Sequence, residues 1–313
     1  MYFPIFRGRQ YELLALRELL EKGLLHEKIV PVIEPVKVSA TFIRTIDSFI
    51  ENGRKVAIIR NPQTGEWEKN LKNSTRKEAV EKIQKQFSDS HIISAYYVNS
   101  DLSDCLKQAE DEGRAIDSLI FVWKTPGHID EYLQLVGNRT PKYNIIPDKI
   151  VFRKKIRDNL VLCEDHFPKK KRNADYFGIE QDFFSSDYLY YDQENFTGFS
   201  DYSVSGQDFE LTEFDNSAVV IHIVYFNDNH DLMIKHFVSD SNTDPTDSAE
   251  RFAEAAAKLV EWNQKEGNFN TAGIRALEEA YRNGTTPGSG VILRYSIMHH
   301  LELISMFLSG ESS

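Results

Sequence analysis

The sequence predicts an α/β protein built as a single TIM-barrel-like (β/α)8 domain. Short apolar runs alternate with amphipathic helical stretches along the first half of the chain. The apolar runs are continuous, as expected for parallel strands that are covered by helices on both faces. The first run begins at residue 2, and strands at both ends of such a chain favour closure into a barrel. An open doubly wound sheet is the alternative fold.

The N-terminal half supplies most of the predicted barrel strands. Apolar runs at residues 2–6 and 29–33 flank a helix that starts at Gln10 and ends at Gly23. Ser39 is a favoured N-cap residue and opens the next helix. The first strands recur at intervals of about 26 to 36 residues, close to the length of a βαβ unit. The further strand candidates are residues 56–59, 91–98, 119–122, 149–152 and 160–163.

The C-terminal half departs from this regular order. Ordered loops rich in aromatic and acidic residues are expected from about residue 175, with a strand near 198–203. Two β-rich runs, 218–226 and 232–238, flank a turn-rich join and predict an antiparallel hairpin. Three helices follow, and the first of them opens at Thr246 or Asp247. We expect one domain over 1–313, with a barrel region and hairpin in 1–240 and helices packed on it in 241–313.

Composition limits the function classes. The chain has 313 residues, two cysteines and a net charge of −11. It needs no disulfides to build a core, and its acidity argues against indiscriminate nucleic-acid binding. We expect no leader peptide and no segment that approaches the roughly 18 residues needed to span a bilayer. These features predict a cytoplasmic protein with no membrane contact.

One segment, residues 149–172, is basic although the chain as a whole has a negative net charge. A solvated loop surface is one interpretation, and a contact to a nucleotide or nucleic acid is the other. Its cationic side chains are Lys149, Arg153, Lys154, Lys155, Arg157, Lys169, Lys170, Lys171 and Arg172.

The predicted functional site lies at the carboxyl ends of the strands, where parallel α/β folds carry their active sites. Glu34 and Asp201 are the candidate catalytic acid/base residues. The candidate ligand-binding residues are Arg7, Lys37, Arg60, Asn61, Lys124, Arg153 and Asp165. Such a set of cations with carboxylates suits an anionic ligand, because the guanidinium fork matches carboxylate and phosphate geometry.

Several structural alternatives remain open. Glu34 and Lys37 could form an ion pair in the rim of the barrel instead of binding a ligand. Asp165 and Asp201 could bind Mg²⁺ with Glu34, although nothing in the spacing requires a metal. His299 and Glu302 can meet on one helix face and are weak metal candidates. No nucleotide loop, zinc motif or nucleophile elbow is present, so the sequence names no cofactor.

Several stretches resemble the bacterial and phage "beta protein" family. The resemblance covers essentially the whole chain and is carried by Tyr2-Phe-Pro-Ile-Phe-Arg7-Gly8-Arg9-Gln10-Tyr-Glu12-Leu-Leu-Ala-Leu16, Val32-Ile-Glu34-Pro35-Val-Lys37, Ile59-Arg60-Asn61-Pro62, Asp201-Tyr202 and His299-His300. The N-terminal signature is its most specific part. The resemblance implies a place in a defence-type gene neighbourhood, a nuclease-like partner and a role in defence against phage.

Three functions are therefore considered. The first is a binding component of an anti-phage defence module that recognises a phosphate-bearing ligand or a protein partner at the barrel mouth. The second is a hydrolase or phosphoesterase-like enzyme with Glu34 or Asp201 as acid/base. The third is a structural interaction protein whose charges only stabilise the rim. The residues alone do not decide whether the protein is an enzyme.

Overall fold

A computed structural model describes residues 1–73, 76–208, 218–240 and 248–310. The chain forms two compact units, each made of segments that are separated in sequence. Unit 1 comprises Met1–Leu13, Glu27–Asp165 and Asp187–Tyr202, and unit 2 comprises Leu14–His26, His166–Ser186 and Ser203–Ser313. The predicted hairpin belongs to unit 2 together with the C-terminal helices. The prediction of a single domain over 1–313 stays a prediction.

Unit 1 is an eight-stranded parallel barrel. Its strands, in spatial order, are β1 (Ile5–Phe6), β2 (Val32–Ile33), β3 (Val56–Ile59), β4 (Ile92–Tyr97), β5 (Ile120–Val122), β6 (Tyr143–Ile146), β7 (Leu160–Cys163) and β9 (Gly198–Ser200). Backbone hydrogen bonds join the first and last strands: the Phe3 amide donates to Phe199 O at 2.9 Å, and the Ile5 amide donates to Asp201 O at 2.8 Å. The predicted TIM-barrel-like fold is thus confirmed, and the open sheet is wrong.

Seven α-helices lie between the strands in the described residues of unit 1. They are α2 (Ala40–Glu51), α3 (Trp67–Leu71), α4 (Lys77–Phe87), α5 (Leu102–Asp111), α6 (Ile129–Val136), α7 (Ile150–Lys155) and α8 (Asp187–Tyr190). The preceding helix, α1 (Gln10–Glu21), begins in unit 1 and ends in unit 2. Ser39 caps α2 as predicted, because its side chain accepts a hydrogen bond from the Phe42 amide at 3.1 Å.

Two apolar layers hold the barrel together. Side chains that alternate along the strands fill the interior, among them Ile5, Val32, Ile59 and Val122. The intervening residues face the helices, where Phe121 joins a second cluster with residues of α5, α6 and α7. Burial on both faces explains why these strands are continuous apolar runs.

The strand predicted at residues 149–152 is wrong. The sixth strand is β6, which contains the polar Asn144, and Ile150–Lys155 forms α7. Ile150 is 73% exposed, so the apolar run from Ile150 does not form a buried strand. Asn144 is tolerated inside β6 because its side-chain oxygen accepts a hydrogen bond from Tyr132 at 2.7 Å and its amide donates to Asp158 O at 3.0 Å.

Unit 2 combines a three-stranded antiparallel sheet with long helices. The sheet order is β10 (Val220–Phe226), β11 (Leu232–Val238) and β8 (Gln181–Ser185). The predicted hairpin is confirmed, and His222 and His236 are cross-strand partners whose Nδ1 atoms lie 2.8 Å apart. The strand β8 was not predicted, because it lies in a stretch dominated by acidic and aromatic side chains.

Three C-terminal helices complete unit 2. They are α9 (Ser248–Trp262), α10 (Ala272–Arg282) and α11 (Ser289–Ser309), and a π-helix over Asn263–Gly267 continues α9. The start predicted at Thr246 or Asp247 lies outside the described residues.

Helix α11 is long and apolar enough to cross a membrane by length and composition, with a mean hydropathy of 1.2 over an 18-residue window. The expectation that no segment approaches that length is therefore wrong. This window is 61% buried, and within unit 2 α11 packs against α10 and β10. Its apolar character is explained by its position in the core of unit 2.

Candidate active site at the carboxyl end of the barrel

Side chains from five strand ends of unit 1 converge at the carboxyl end of the barrel. This mouth cluster consists of Arg7, Glu34, Tyr97, Lys124 and Tyr202. Arg7 donates to Glu34 Oε2 and also to the Tyr97 hydroxyl at 3.1 Å. The Tyr97 hydroxyl in turn donates to the same Glu34 oxygen at 2.7 Å. The cluster is therefore a closed, charge-assisted network.

Glu34 is completely buried and is saturated with hydrogen bonds. Its second oxygen, Oε1, accepts from the Gln63 amide at 2.8 Å and from the Thr64 hydroxyl at 3.2 Å. Burial alone would raise the pKa of this carboxyl group. The Arg7 charge and the hydrogen bonds from Tyr97 and Gln63 outweigh burial, so the pKa of Glu34 lies below its usual value. The carboxylate is therefore held ionised, and each of its oxygens has two protein donors.

The loop after β3 covers Glu34. Gly65 has a φ of +80°, and the Glu66 amide donates to Val36 O at 2.7 Å, which fixes the loop against the end of β2. A Cβ at Gly65 would overlap Val36 O and would lie 2.8 Å from Val36 Cα. The chain continues from this loop into the helix α3.

We expect Gly65→Ala to destabilise unit 1 by about 2 kcal/mol, because alanine is strained at this φ and its Cβ collides with backbone. Urea denaturation checks the loss of unfolding free energy. Gly127→Ala is the control, since Gly127 has no positive φ and its added Cβ would lie 4.0 Å from the Thr125 hydroxyl oxygen. Equal stability of the two variants would contradict the close approach at Gly65.

Lys124 is the accessible cation of the mouth cluster. Its half-buried ammonium lies 4.1 Å from the centroid of the Tyr97 ring and donates to Gln63 Oε1 at 2.9 Å. Burial lowers the pKa of Lys124, the Glu34 charge opposes this, and the Arg7 charge adds to it. An ammonium carries three N–H donors, so Lys124 retains donors for a ligand beyond the one used by Gln63.

Three predicted ligand-binding residues, Lys37, Arg60 and Asn61, make no contact with Glu34. Lys37 is exposed and forms no ion pair with Glu34, so the predicted Glu34–Lys37 pair is replaced by Arg7–Glu34. Arg60 lies 4.2 Å from the centroid of the Phe87 ring, in the layer between sheet and helices. Asn61 binds the backbone of Tyr97 through both its side-chain oxygen and its amide.

The remaining predicted site residues are separated from Glu34 or engaged elsewhere. Arg153 lies on α7, not at a strand end, and pairs with Asp148 and Glu194 at 2.6 and 2.8 Å. Asp165 is exposed, beyond the end of β7. Asp201 is buried and accepts a hydrogen bond from the Tyr2 hydroxyl at 2.7 Å. Their catalytic and binding roles stay predictions.

The described residues contain no group of three or more His, Cys, Asp or Glu side chains placed to hold a metal ion. His299 and Glu302 have separate partners: His299 bonds to the Thr271 hydroxyl and to Val224 O, and Glu302 accepts from the Ala272 amide. Glu34, Asp165 and Asp201, which the sequence left open as Mg²⁺ ligands, do not form such a group.

The basic segment is divided between the units, with residues 149–165 in unit 1 and 166–172 in unit 2. Several of its cations are paired with carboxylates: Arg153 as above, Lys155 with Asp130, and Arg172 with Asp175. This pairing favours the interpretation as a solvated surface.

Sequence reasoning missed Gln63, Thr64, Tyr97 and Tyr202. Tyr97 is the last residue of β4, and its position at a strand end was the available signal. Gln63 and Thr64 reach Glu34 because the loop that carries them turns at Gly65. The sequence alone does not specify the path of this loop.

No family model, curated protein or solved structure matches the chain. The resemblance to the beta protein family therefore stays a prediction. What the mouth cluster can bind has to follow from its geometry and charge.

Proposed function

We propose that unit 1 is a binding module that takes up an anionic, phosphate-bearing ligand at the mouth of its barrel. Lys124 carries the proposal: it is a half-exposed ammonium at a strand end, held over the Tyr97 ring with donors to spare. Parallel barrels bind their ligands at this end, where the βα loops meet.

The charge balance of the mouth cluster supports an anion. Glu34 is neutralised by Arg7 in a buried pair, which leaves the charge of Lys124 uncompensated within the cluster. Lys37 adds an exposed cation after the end of β2. A partly desolvated ammonium attracts an anion more strongly than a fully solvated one does, because less water screens the interaction.

The geometry gives less support to an enzyme that uses Glu34 as general acid or base. A general base needs a free oxygen within hydrogen-bond reach of its substrate. Each oxygen of Glu34 already accepts from two protein donors, and the lowered pKa keeps the group from carrying a proton near neutral pH. We therefore assign Glu34 the role of positioning Arg7, Tyr97 and the loop at Gln63.

The biological setting of the proposal comes from the resemblance. A component of a cytoplasmic anti-phage defence module would recognise the ligand or a protein partner, and a nuclease-like partner would cut nucleic acid. The net charge of −11 favours recognition of a small anion or of a protein over broad binding of nucleic acid.

The test uses inorganic pyrophosphate as the probe, titrated calorimetrically into the full-length protein at low ionic strength. We expect Lys124→Met to weaken binding about tenfold or more, because a charge-assisted hydrogen bond contributes about 1.5–3 kcal/mol. Lys124→Arg should retain most of the affinity, and added salt should weaken binding.

Lys55→Met is the matched control. Lys55 is exposed and immediately precedes β3, so it lies at the amino end of a barrel strand. The Lys55→Met substitution should leave the affinity for pyrophosphate unchanged. Absence of saturable binding, or equal losses in Lys55→Met and Lys124→Met, would contradict the proposal. Capture of a nuclease-like protein without any anion binding would favour the interaction role instead.

A further inference from the structure

Unit 2 contains a cavity that none of the functions above uses. Its volume is about 810 Å³. It is lined by the segment that follows α1, the turn between the π-helix and α10, and the last turns of α11. The lining residues that matter for recognition are Phe269, Asn270, Thr271, Glu302, Ser305 and Met306.

One wall of this cavity is a firmly positioned aromatic ring. Asn263, itself buried, donates from its side-chain amide to Phe269 O at 3.0 Å and accepts from the Phe269 amide at 2.8 Å. Both backbone groups of Phe269 are therefore fixed by one side chain. A half-buried ring held this way can stack on a flat ligand without losing much conformational entropy.

The backbone beside this ring is packed too closely to move freely. A Cβ at Gly267 would lie 2.9 Å from Asn263 Oδ1 and 3.1 Å from Phe269 Cδ2. The segment is also the π-helix, and such distortions are frequent at functional sites. The wall at Phe269 is thus built by specific contacts and not by an irregular surface loop.

Glu302 supplies an open hydrogen-bond acceptor to the cavity. Its side chain is only 7% exposed, and Oε2 accepts from the Ala272 amide at 2.7 Å. Oε1 accepts no hydrogen bond from a described residue. Burial raises the pKa of Glu302, while the Ala272 hydrogen bond and the charges of Arg275 and Lys22 oppose that rise. An accessible carboxylate oxygen with no protein donor, on a largely buried side chain that lines the cavity, can accept a hydrogen bond from a ligand.

The charges around the cavity indicate an uncharged ligand. Its lining contains Glu302 and His26 but no lysine or arginine, so a phosphate would face a carboxylate and no permanently charged cation. The two cations whose charges act on Glu302 already have partners, Lys22 with Glu18 and Arg275 with the backbone and side chain of Asn270. The lining also includes the amide side chains of Asn268 and Asn270, which can both donate to and accept from hydroxyl groups.

We propose that this cavity binds an uncharged nucleoside: a planar heterocycle that stacks on Phe269 and donates an N–H to Glu302, joined to a sugar whose hydroxyls face the polar lining. This inference concerns unit 2 by itself and goes beyond the anion site proposed for unit 1. It makes the two sites distinguishable, since one requires a phosphate and the other excludes it.

The experiment titrates adenosine, guanosine, cytidine and uridine into the full-length protein and follows heat and tryptophan fluorescence, because Trp262 lies 5.9 Å from the Phe269 ring. We expect saturable binding of at least one nucleoside. Its 5′-monophosphate should bind at least about tenfold more weakly at this site, since the phosphate would be desolvated beside Glu302 without a cation. Lys124→Met should not change nucleoside affinity.

Glu302→Gln is the decisive variant. The glutamine oxygen can still accept from Ala272, while the amide now presents a donor to the cavity instead of an acceptor. We expect about a tenfold loss of nucleoside affinity with a retained fold, from the cost of one unmade hydrogen bond. Glu266→Gln is the control, because Glu266 is exposed in the neighbouring π-helix and carries the same charge.

A lack of saturable binding by all four nucleosides would overturn the proposal. Equal affinity in Glu302→Gln and the parent protein would also overturn it, as would a monophosphate that binds this cavity as tightly as the nucleoside. Lost pyrophosphate binding with retained nucleoside binding would contradict only the proposal for unit 1.

Discussion

Arg7→Met is expected to cost unit 1 about 3–5 kcal/mol of unfolding free energy at neutral pH, because it leaves a buried carboxylate without its cation. Arg7 and Glu34 have side chains that are 4% and 0% exposed. The methionine replaces the bulk of the arginine stem but leaves Glu34 with donors from Tyr97, Gln63 and Thr64 only. Urea denaturation measures the loss, and hydrogen exchange of β1 and β2 amides localises it.

The loss should depend on pH in a defined direction. The folded-state pKa of Glu34 lies below its usual value, so its stabilising contribution is present above the unfolded-state pKa, about 4.3, and is lost as the pH falls through the folded value. Without Arg7 that contribution disappears. The difference in stability between the parent protein and Arg7→Met should therefore be largest near neutral pH and shrink below about pH 4.

Two variants sharpen this test. In the double variant Arg7→Met with Glu34→Gln neither position carries a charge, and part of the stability should return, since burying a neutral amide costs less than burying an isolated charge. Arg44→Met removes an exposed arginine on α2 and should change stability by no more than about 0.5 kcal/mol. Arg7→Met and Arg44→Met with the same stability would show that the buried pair is energetically unimportant.

The rule that sites lie at strand ends located Arg7, Glu34 and Lys124 from the sequence, but it did not distinguish these inward-facing residues from Arg60. The alternation of side chains along each strand does distinguish them. Ile5, Val32, Ile59 and Val122 all point into the barrel. Arg7, Glu34 and Lys124 each lie two residues beyond such a position and turn inward, whereas Arg60 follows Ile59 directly and turns to the helix layer. This information was present in the alternation of each strand.

The partners of these side chains were harder to predict. Lys37 is close to Glu34 in sequence, yet Glu34 pairs with Arg7 because β1 lies beside β2 in the barrel. Such contacts depend on strand order, which a single sequence does not specify. Asn144 is a similar case. This polar residue made the stretch that forms β6 look unlike a buried strand, because its hydrogen-bond partners, Tyr132 and Asp158, are more than ten residues away in the sequence.

No pattern in the sequence predicts the cavity in unit 2. Glu302 was singled out only for its spacing from His299, although the two side chains bind different partners. The cavity depends on the π-helix, on the Asn263 side chain and on the approach of α10 to α11. Helical periodicity predicts that these helices exist but does not predict the distance between them.

Gly273→Ala should destabilise unit 2 by about 3 kcal/mol, because Gly273 is where α10 comes closest to α11. An added Cβ would overlap Tyr295 O and would lie 2.8 Å from the His299 amide nitrogen and 3.1 Å from His299 Cβ. These atoms are backbone or the root of a side chain, so the collision can be relieved only by moving a helix.

Hydrogen exchange of the amides in α10 and α11 measures this effect locally, and we expect protection to fall in both helices while the barrel strands of unit 1 keep theirs. Gly288→Ala is the matched control, because nothing lies within 4 Å of its added Cβ and its φ of −67° suits alanine. It should shift stability by less than about 1 kcal/mol. Since Glu302 accepts from the Ala272 amide, displacement of α10 should also weaken nucleoside binding. Unchanged protection in Gly273→Ala would mean that the two helices are farther apart in solution than the structure places them.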